Sequence, residues 1–303
     1  MKITVACLLI SIYTFACAKN PKKDVSISCT ASWKKGEKKI LFISREKEEY
    51  KSGSRISTFD FSYEAHVTVL DSSKEGYTIR WVFHLSEEFK KENPGIAGLM
   101  PVYEGLKMIF TTTHTGSFKE LLNWQEVRDA YIAMMKVSLP KDLDDSTKAA
   151  IQRSTELFNS REMTEGALIR EIQVYYAPYG GDFTTKETKT GTSLPNPFGG
   201  ESMTSIITQK ISEISSRYFT VSVVQELDTA GTTILMNSLL KKMDLPVDSI
   251  MTDPKTMLSN FQMKDKNEYK IERSTGWITI VKRERTAITS GRKQTENFLF
   301  TMK

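Results

Sequence analysis

The chain has 303 residues, 39% hydrophobic, 10% aromatic and 26% charged, which suits one large or two ordinary globular domains and excludes an intrinsically disordered chain. Lys and Arg number 42 against 37 Asp and Glu, a mild net charge of +5 spread along the sequence. Nucleic acid is therefore not an expected partner, since its recognition asks for a basic stripe on one face. A single uncharged apolar stretch, at the N-terminus, excludes a polytopic membrane protein.

That stretch is read first. Lys2 gives a short positive region, and Ile3 to Phe15 form an uncharged, mainly apolar run, shorter than the roughly 20 residues a spanning helix needs. Residues 1–18 are thus expected to be a cleavable signal peptide. Two cleavage readings stand side by side. Ala16-Cys17-Ala18 fits the small-x-small rule and would leave Lys19 as the new N-terminus. Thr14-Phe15-Ala16-Cys17 resembles a bacterial lipoprotein box, in which Cys17 is the lipid attachment point; Ala16 fits that pattern, Thr14 and Phe15 depart from it. Both readings predict export, to the periplasm or to a membrane-anchored place in a bacterial envelope, the second with contact to the membrane surface through the N-terminal lipid. Cys29 remains as the only certain thiol of the mature chain, so no intramolecular disulfide is expected. It reads as a small apolar residue in a first strand.

After a polar tether from Lys19 to Asp24, residues 19–122 read as an N-terminal β-rich module. Its strands are expected at Ile40–Ile43, Arg55–Leu70, Tyr77–Leu85 and Leu106–His114, with a turn cluster at Asp71–Gly76 that makes a hairpin of the middle pair. Residues 123–181 read as a helical insert. Asn123 with Glu126 forms a capping pair for a helix to Met135, and Pro140 stops it. Asp144 or Asp145 caps a second helix, with Ala150, Ile151, Leu157 and Phe158 near helical spacing. A third is expected from about Glu162 to Ala177, with Met163, Ala167, Leu168, Ile172 and Tyr175 on one stripe, ended by Pro178, Gly180 and Gly181. Residues 182–303 return to β structure: a connection at Leu194–Gly200, hairpins at Met203–Ile214 with Tyr218–Leu227 and at Tyr269–Ile271 with Trp277–Val281, and a last strand at Asn297–Met302. Thr233–Met243 reads as a helix before Pro246.

The fold class is therefore α+β: mainly antiparallel β, with the helical insert packing on a curved sheet. The two β-rich parts share a motif. Phe110 to Phe118 and Tyr269 to Trp277 each run from strand through a Thr-Gly turn to a large aromatic. Either the β module is duplicated, or both parts use the glycine that tight strand reversals need. One continuous sheet and two small domains both satisfy this order.

No catalytic constellation emerges. His66, His84 and His114 show no metal-ligand spacing, and neither a P-loop, a GxGxxG nor a Gly-x-Ser-x-Gly occurs. The pairs Glu48-Glu49, Glu87-Glu88 and Asp144-Asp145 are adjacent, so they point apart on helix or strand. No catalytic residue, metal ligand or cofactor is assigned. Candidate ligand-binding residues are the aromatic cluster Tyr175, Tyr176 and Tyr179, with Leu168 and Ile172 on the stripe beneath it. The competing reading is that these tyrosines cover the sheet.

The signal with its box, the β–helix–β order and the Thr-Gly-aromatic turns resemble uncharacterised exported envelope proteins of bacteria. The architecture also resembles that of lipoprotein carriers, which implies a curved sheet with helices on its concave face and an acyl chain between them. The function expected is non-enzymatic binding of a lipid or other apolar or amphipathic ligand, or of a protein partner, at the envelope. Alternatives are a structural or assembly factor acting through edge-strand pairing, and a hydrolase with an unrecognised site. The sequence assigns no oligomeric state.

Overall fold

The structure is a computed structural model, describing residues 24–85, 90–91, 104–138, 144, 155, 158–194, 196, 200–242, 262–289 and 291–303. The signal-peptide reading of residues 1–18 and Cys17 lies outside them, as does most of the helix expected after Asp144. The N-terminal strands are β1 (Ser26–Ser28), β2 (Lys38–Lys51), β3 (Ser54–Ser72), β4 (Gly76–His84), β5 (Lys107–Thr113) and β6 (Phe118–Leu121). Helices α1 (Trp124–Ser138), α2 (Arg161–Leu168) and α3 (Arg170–Tyr176) follow. Then come β7 (Asp182–Thr184), β8 (Thr188–Leu194), β9 (Met203–Ile214), β10 (Tyr218–Leu227), α4 (Thr229–Lys242), β11 (Gln262–Glu272), β12 (Ile278–Thr289) and β13 (Arg292–Met302).

The β-rich stretches form one antiparallel sheet of 11 strands, ordered β6-β5-β4-β3-β2-β13-β12-β11-β10-β9-β8; β1 and β7 pair separately. The two stretches meet at β2 and β13, from Leu41 opposite Met302 to Lys51 opposite Arg292. The β2–β3 turn places Ser52 at φ 49° and Gly53 at φ 83°, the two-residue hairpin geometry in which both central residues take positive φ. The backbone N–H of Ser52 donates to the Gly291 carbonyl oxygen at 2.9 Å, tying the β2–β3 tip to the β12–β13 tip.

One face of the sheet is apolar because the strands alternate. Tyr63, Ala65, Val67 and Val69 of β3 are buried, as are Ile79, Trp81 and Phe83 of β4 and Phe298 and Phe300 of β13. Helix α3 closes this face over the β2–β13 seam. Its Tyr175 ring lies 5.9 Å from Trp81 on one side of the seam and 5.9 Å from Phe300 on the other, and its Tyr176 ring is 5.2 Å from Phe110.

The long third helix expected from the sequence is two. Ile169, at φ −117° and ψ 30°, leaves the helical region and is itself buried, so α2 and α3 turn separate stripes onto the sheet. Helix α2 starts at Ser160, whose Oγ accepts from the Met163 backbone N–H at 3.2 Å. Before α1, Asn123 Nδ2 donates to Glu126 at 3.0 Å, but its Oδ1 accepts the Ile109 N–H at 2.9 Å. Asn123 thus fastens the helix start to β5.

The two glycine turns paired by sequence meet the same segment. Gly116 and Gly276 both have positive φ, 99° and 72°. The Ala31 N–H donates to the Thr115 carbonyl oxygen at 2.9 Å, and the Ser32 N–H to that of Thr275 at 3.0 Å. A Cβ on Gly276 would stand 2.1 Å from the Thr30 carbonyl oxygen, so only glycine lets the turn come this close. Trp33, held by this segment, stacks on Trp277 with centroids 4.6 Å apart.

Candidate functional site

A cavity of about 450 Å³ lies between the N-terminal half of the apolar face and the helices. Helix α1 supplies Val127, Tyr131 and Met134, spaced i, i+4, i+7 and therefore on one stripe. Ala167 and Leu168 come from α2 and Glu171 from α3. The sheet supplies Phe59, Phe61 and Tyr63 of β3, which share a face because they alternate, with Phe83, Leu106, Met108 and Arg45. Ring centroids run from Phe59 to Phe61 at 6.2 Å, to Tyr63 at 5.4 Å and on to Phe83 at 4.9 Å, a continuous aromatic floor. Along β3, exposure rises from 3% at Tyr63 to 44% at Phe59, so among the described residues the cavity opens toward the hairpin tip. Its volume lies within the roughly 300–1,000 Å³ of small-molecule pockets, and its wall is apolar except at Arg45 and Glu171.

The structure divides the candidate binding residues. Leu168 lines the cavity. Ile172, Tyr175 and Tyr176 lie under α3 against the sheet, at most 1% exposed, and Tyr179 is buried beside them. The Tyr175 hydroxyl donates to the Ile278 carbonyl oxygen and that of Tyr179 to the Gly276 carbonyl oxygen, both at 2.7 Å. Burial pushes all three phenols above their ordinary pKa, so they stay neutral core groups, with Tyr175 and Tyr179 hydrogen-bonded to β12 and the turn before it. The lining that sequence reasoning missed is Phe59-x-Phe61-x-Tyr63; its period of two was the available signal.

Among the described residues no three His, Cys, Asp or Glu side chains gather as a metal site. His66 and His84 share the opposite face of the sheet as diagonal neighbours, since Glu64 pairs with His84 and His66 with Val82. Their rings lie 4.0 Å apart, His66 3.5 Å from Glu64 and His84 3.2 Å from Glu104.

Beside the cavity the apolar face gives way to charge. Arg45 and Arg170 both pair with Glu296, which is 2% exposed. Asp265 accepts from Arg283 at 3.0 Å and from Arg285 at 2.6 Å. The guanidinium carbons of Arg45, Arg170 and Arg283 lie 5.4, 5.7 and 5.6 Å from the Phe298 ring centroid. Burial, with the like charges of Arg285 and Arg283, brings the Arg170 pKa down to about 10.

Fold and site together define an α+β protein with one broad antiparallel sheet, helices on its apolar face and an apolar cavity between them. No family model matches the chain, and no curated protein matches it. Among solved structures it is similar to lipovitellin, described for its lipid–protein interactions, with 8% identity and a TM-score of 0.44 over 90% of this chain. The chain spans 25% of that protein's length. The cavity, and not this likeness, supports a functional reading.

Proposed function

We propose that the protein is a non-enzymatic binding protein that holds an apolar or amphipathic small molecule between α1, α2 and the sheet, and that it acts after export to a bacterial envelope. The cavity carries the reading. An aromatic, leucine and methionine wall of this extent would stay in contact with water when empty, and an apolar occupant removes that cost. Retention of ligand is read by native mass spectrometry of protein extracted from its own host. The expected result is an adduct lost after organic extraction, and a ligand-free mass that also fails to take up decanol would sink the cavity reading. Intact mass tests export separately: a start at Lys19 or at a lipidated Cys17 supports it, and a retained Met1 overturns it.

A further inference from the structure

The charged cluster next to the cavity contains more positive charge than its carboxylates balance. Among the described residues, Arg45, Arg170, Arg283 and Arg285 converge on Glu296 and Asp265, leaving two positive charges, or one if Glu171 on the cavity wall is added. These groups are removed from water to a degree that makes an imbalance costly: the Arg283 side chain is 3% exposed and that of Arg170 28%. Among the described residues, two of their donors are buried without a hydrogen-bond partner, Nη1 of Arg283 and Nε of Arg170. A buried donor left unpaired is a costly arrangement that a native fold keeps where something else completes it. Arg45 belongs to both places, lining the cavity and pairing with Glu296, and Glu171 follows Arg170 on α3.

Resting on the cavity reading above, we infer that the ligand is a single-chain amphiphile with an anionic headgroup, a carboxylate or a phosphate. Its chain occupies the aromatic cavity and its headgroup meets Arg170 and Arg283 beside Phe298. Guanidinium groups suit either headgroup, because their fork of N–H donors matches paired oxygens. The apolar floor and the cationic end together recognise an amphiphile, whereas either alone would select only a hydrocarbon or only an anion.

Calorimetric titration of the extracted and delipidated full chain with decanoate, decyl phosphate and decanol separates the two parts. At least one anion is expected to bind about tenfold more tightly than decanol, on the scale of a charge-assisted hydrogen bond, and the tighter of the two identifies the headgroup. Arg170→Gln should bring that anion to the affinity of decanol while leaving decanol unchanged. If that variant does not fold, Arg170→Lys, which keeps the charge and loses the fork, should give a smaller loss for the anion alone. Equal binding of all three compounds would overturn the headgroup proposal and leave the cavity reading standing. Binding of none would remove both. A preference for the anion as large as the wild type's in Arg170→Gln or, where only the charge-retaining variant folds, in Arg170→Lys overturns the assignment to this cluster.

Discussion

The Tyr179 hydroxyl donates to the Gly276 carbonyl oxygen at 2.7 Å, joining the end of the helical region to the turn between β11 and β12, 97 residues further along the chain. Gly276 also meets Thr30 from its other side, so three distant segments share one turn. Tyr179→Phe should cost about 1–3 kcal/mol in urea unfolding, because it removes the hydroxyl donor of a buried carbonyl and offers nothing in return. Gly276→Ala should cost more than Gly36→Ala. Both positions have positive φ, but a Cβ at Gly36 meets nothing within 4 Å, while at Gly276 it strikes backbone. Equal costs for the two alanines would mean that the turn does not clamp Thr30.

Ile172 and Leu168 separate packing from lining. Ile172 is fully buried against the sheet, so Ile172→Ala should cost about 2–5 kcal/mol through lost contacts and the void left behind. Part of Leu168 faces open cavity, and Leu168→Ala should cost about 1 kcal/mol or less while enlarging the cavity. Thermal unfolding with and without decanol decides the matter. A Leu168 cost equal to that of Ile172 would mean that the space beside it is filled by protein in solution.

Alternation and turn chemistry made most of the fold legible. The hairpin Met203–Ile214 with Tyr218–Leu227 appears with its sequence-read bounds, because β-branched residues run up to a Ser-Ser-Arg turn. Strand β2 was read only at Ile40–Ile43, whereas it runs to Lys51. Its second half is charged, and its ladder partners on both sides, which no local pattern encodes, hold it in the sheet. The helix end at Tyr175 and Tyr176 was legible as an aromatic cluster, but whether it faces a ligand or the core depends on where α3 lies over the β2–β13 seam. The arginine cluster was invisible for the same reason: Arg45, Arg170 and Arg283 come from three separated segments. Register sets Arg45 and Arg283 opposite Phe298, and the packing of α3 on the sheet brings Arg170 there.

Cys29 should be inert. It is fully buried, and burial pushes its thiol up to about 12, so almost no thiolate exists at pH 8. Iodoacetamide should label the native protein only at the rate of unfolding, and stoichiometrically in urea. Reductant should leave the melting temperature within about a degree, since no covalent loop is opened. Rapid native labelling would show that the Cys29–Trp33 segment opens on its own.

The pair of buried carboxylates should make stability fall in acid. Burial opposes the ionisation of Glu296, but Arg170 and then Arg45 outweigh it, and the net shift is downward. At Asp265 burial is likewise outweighed, by Arg285 and Arg283. A carboxyl whose folded pKa lies below its unfolded value contributes stability that is fully present above the unfolded value, about 4, and is lost as pH falls through the folded one. Urea unfolding should therefore give a nearly constant contribution from these groups between pH 7 and 5 and a falling one below about pH 4. Glu296→Gln should lose about 3–5 kcal/mol at pH 7, because Arg45 and Arg170 are left without their carboxylate. The same variant should show a shallower decline between pH 4 and 2, having one fewer depressed carboxyl to protonate. A variant that loses stability at pH 7 yet follows the wild-type acid slope would show that Glu296 is not held ionised by its arginines.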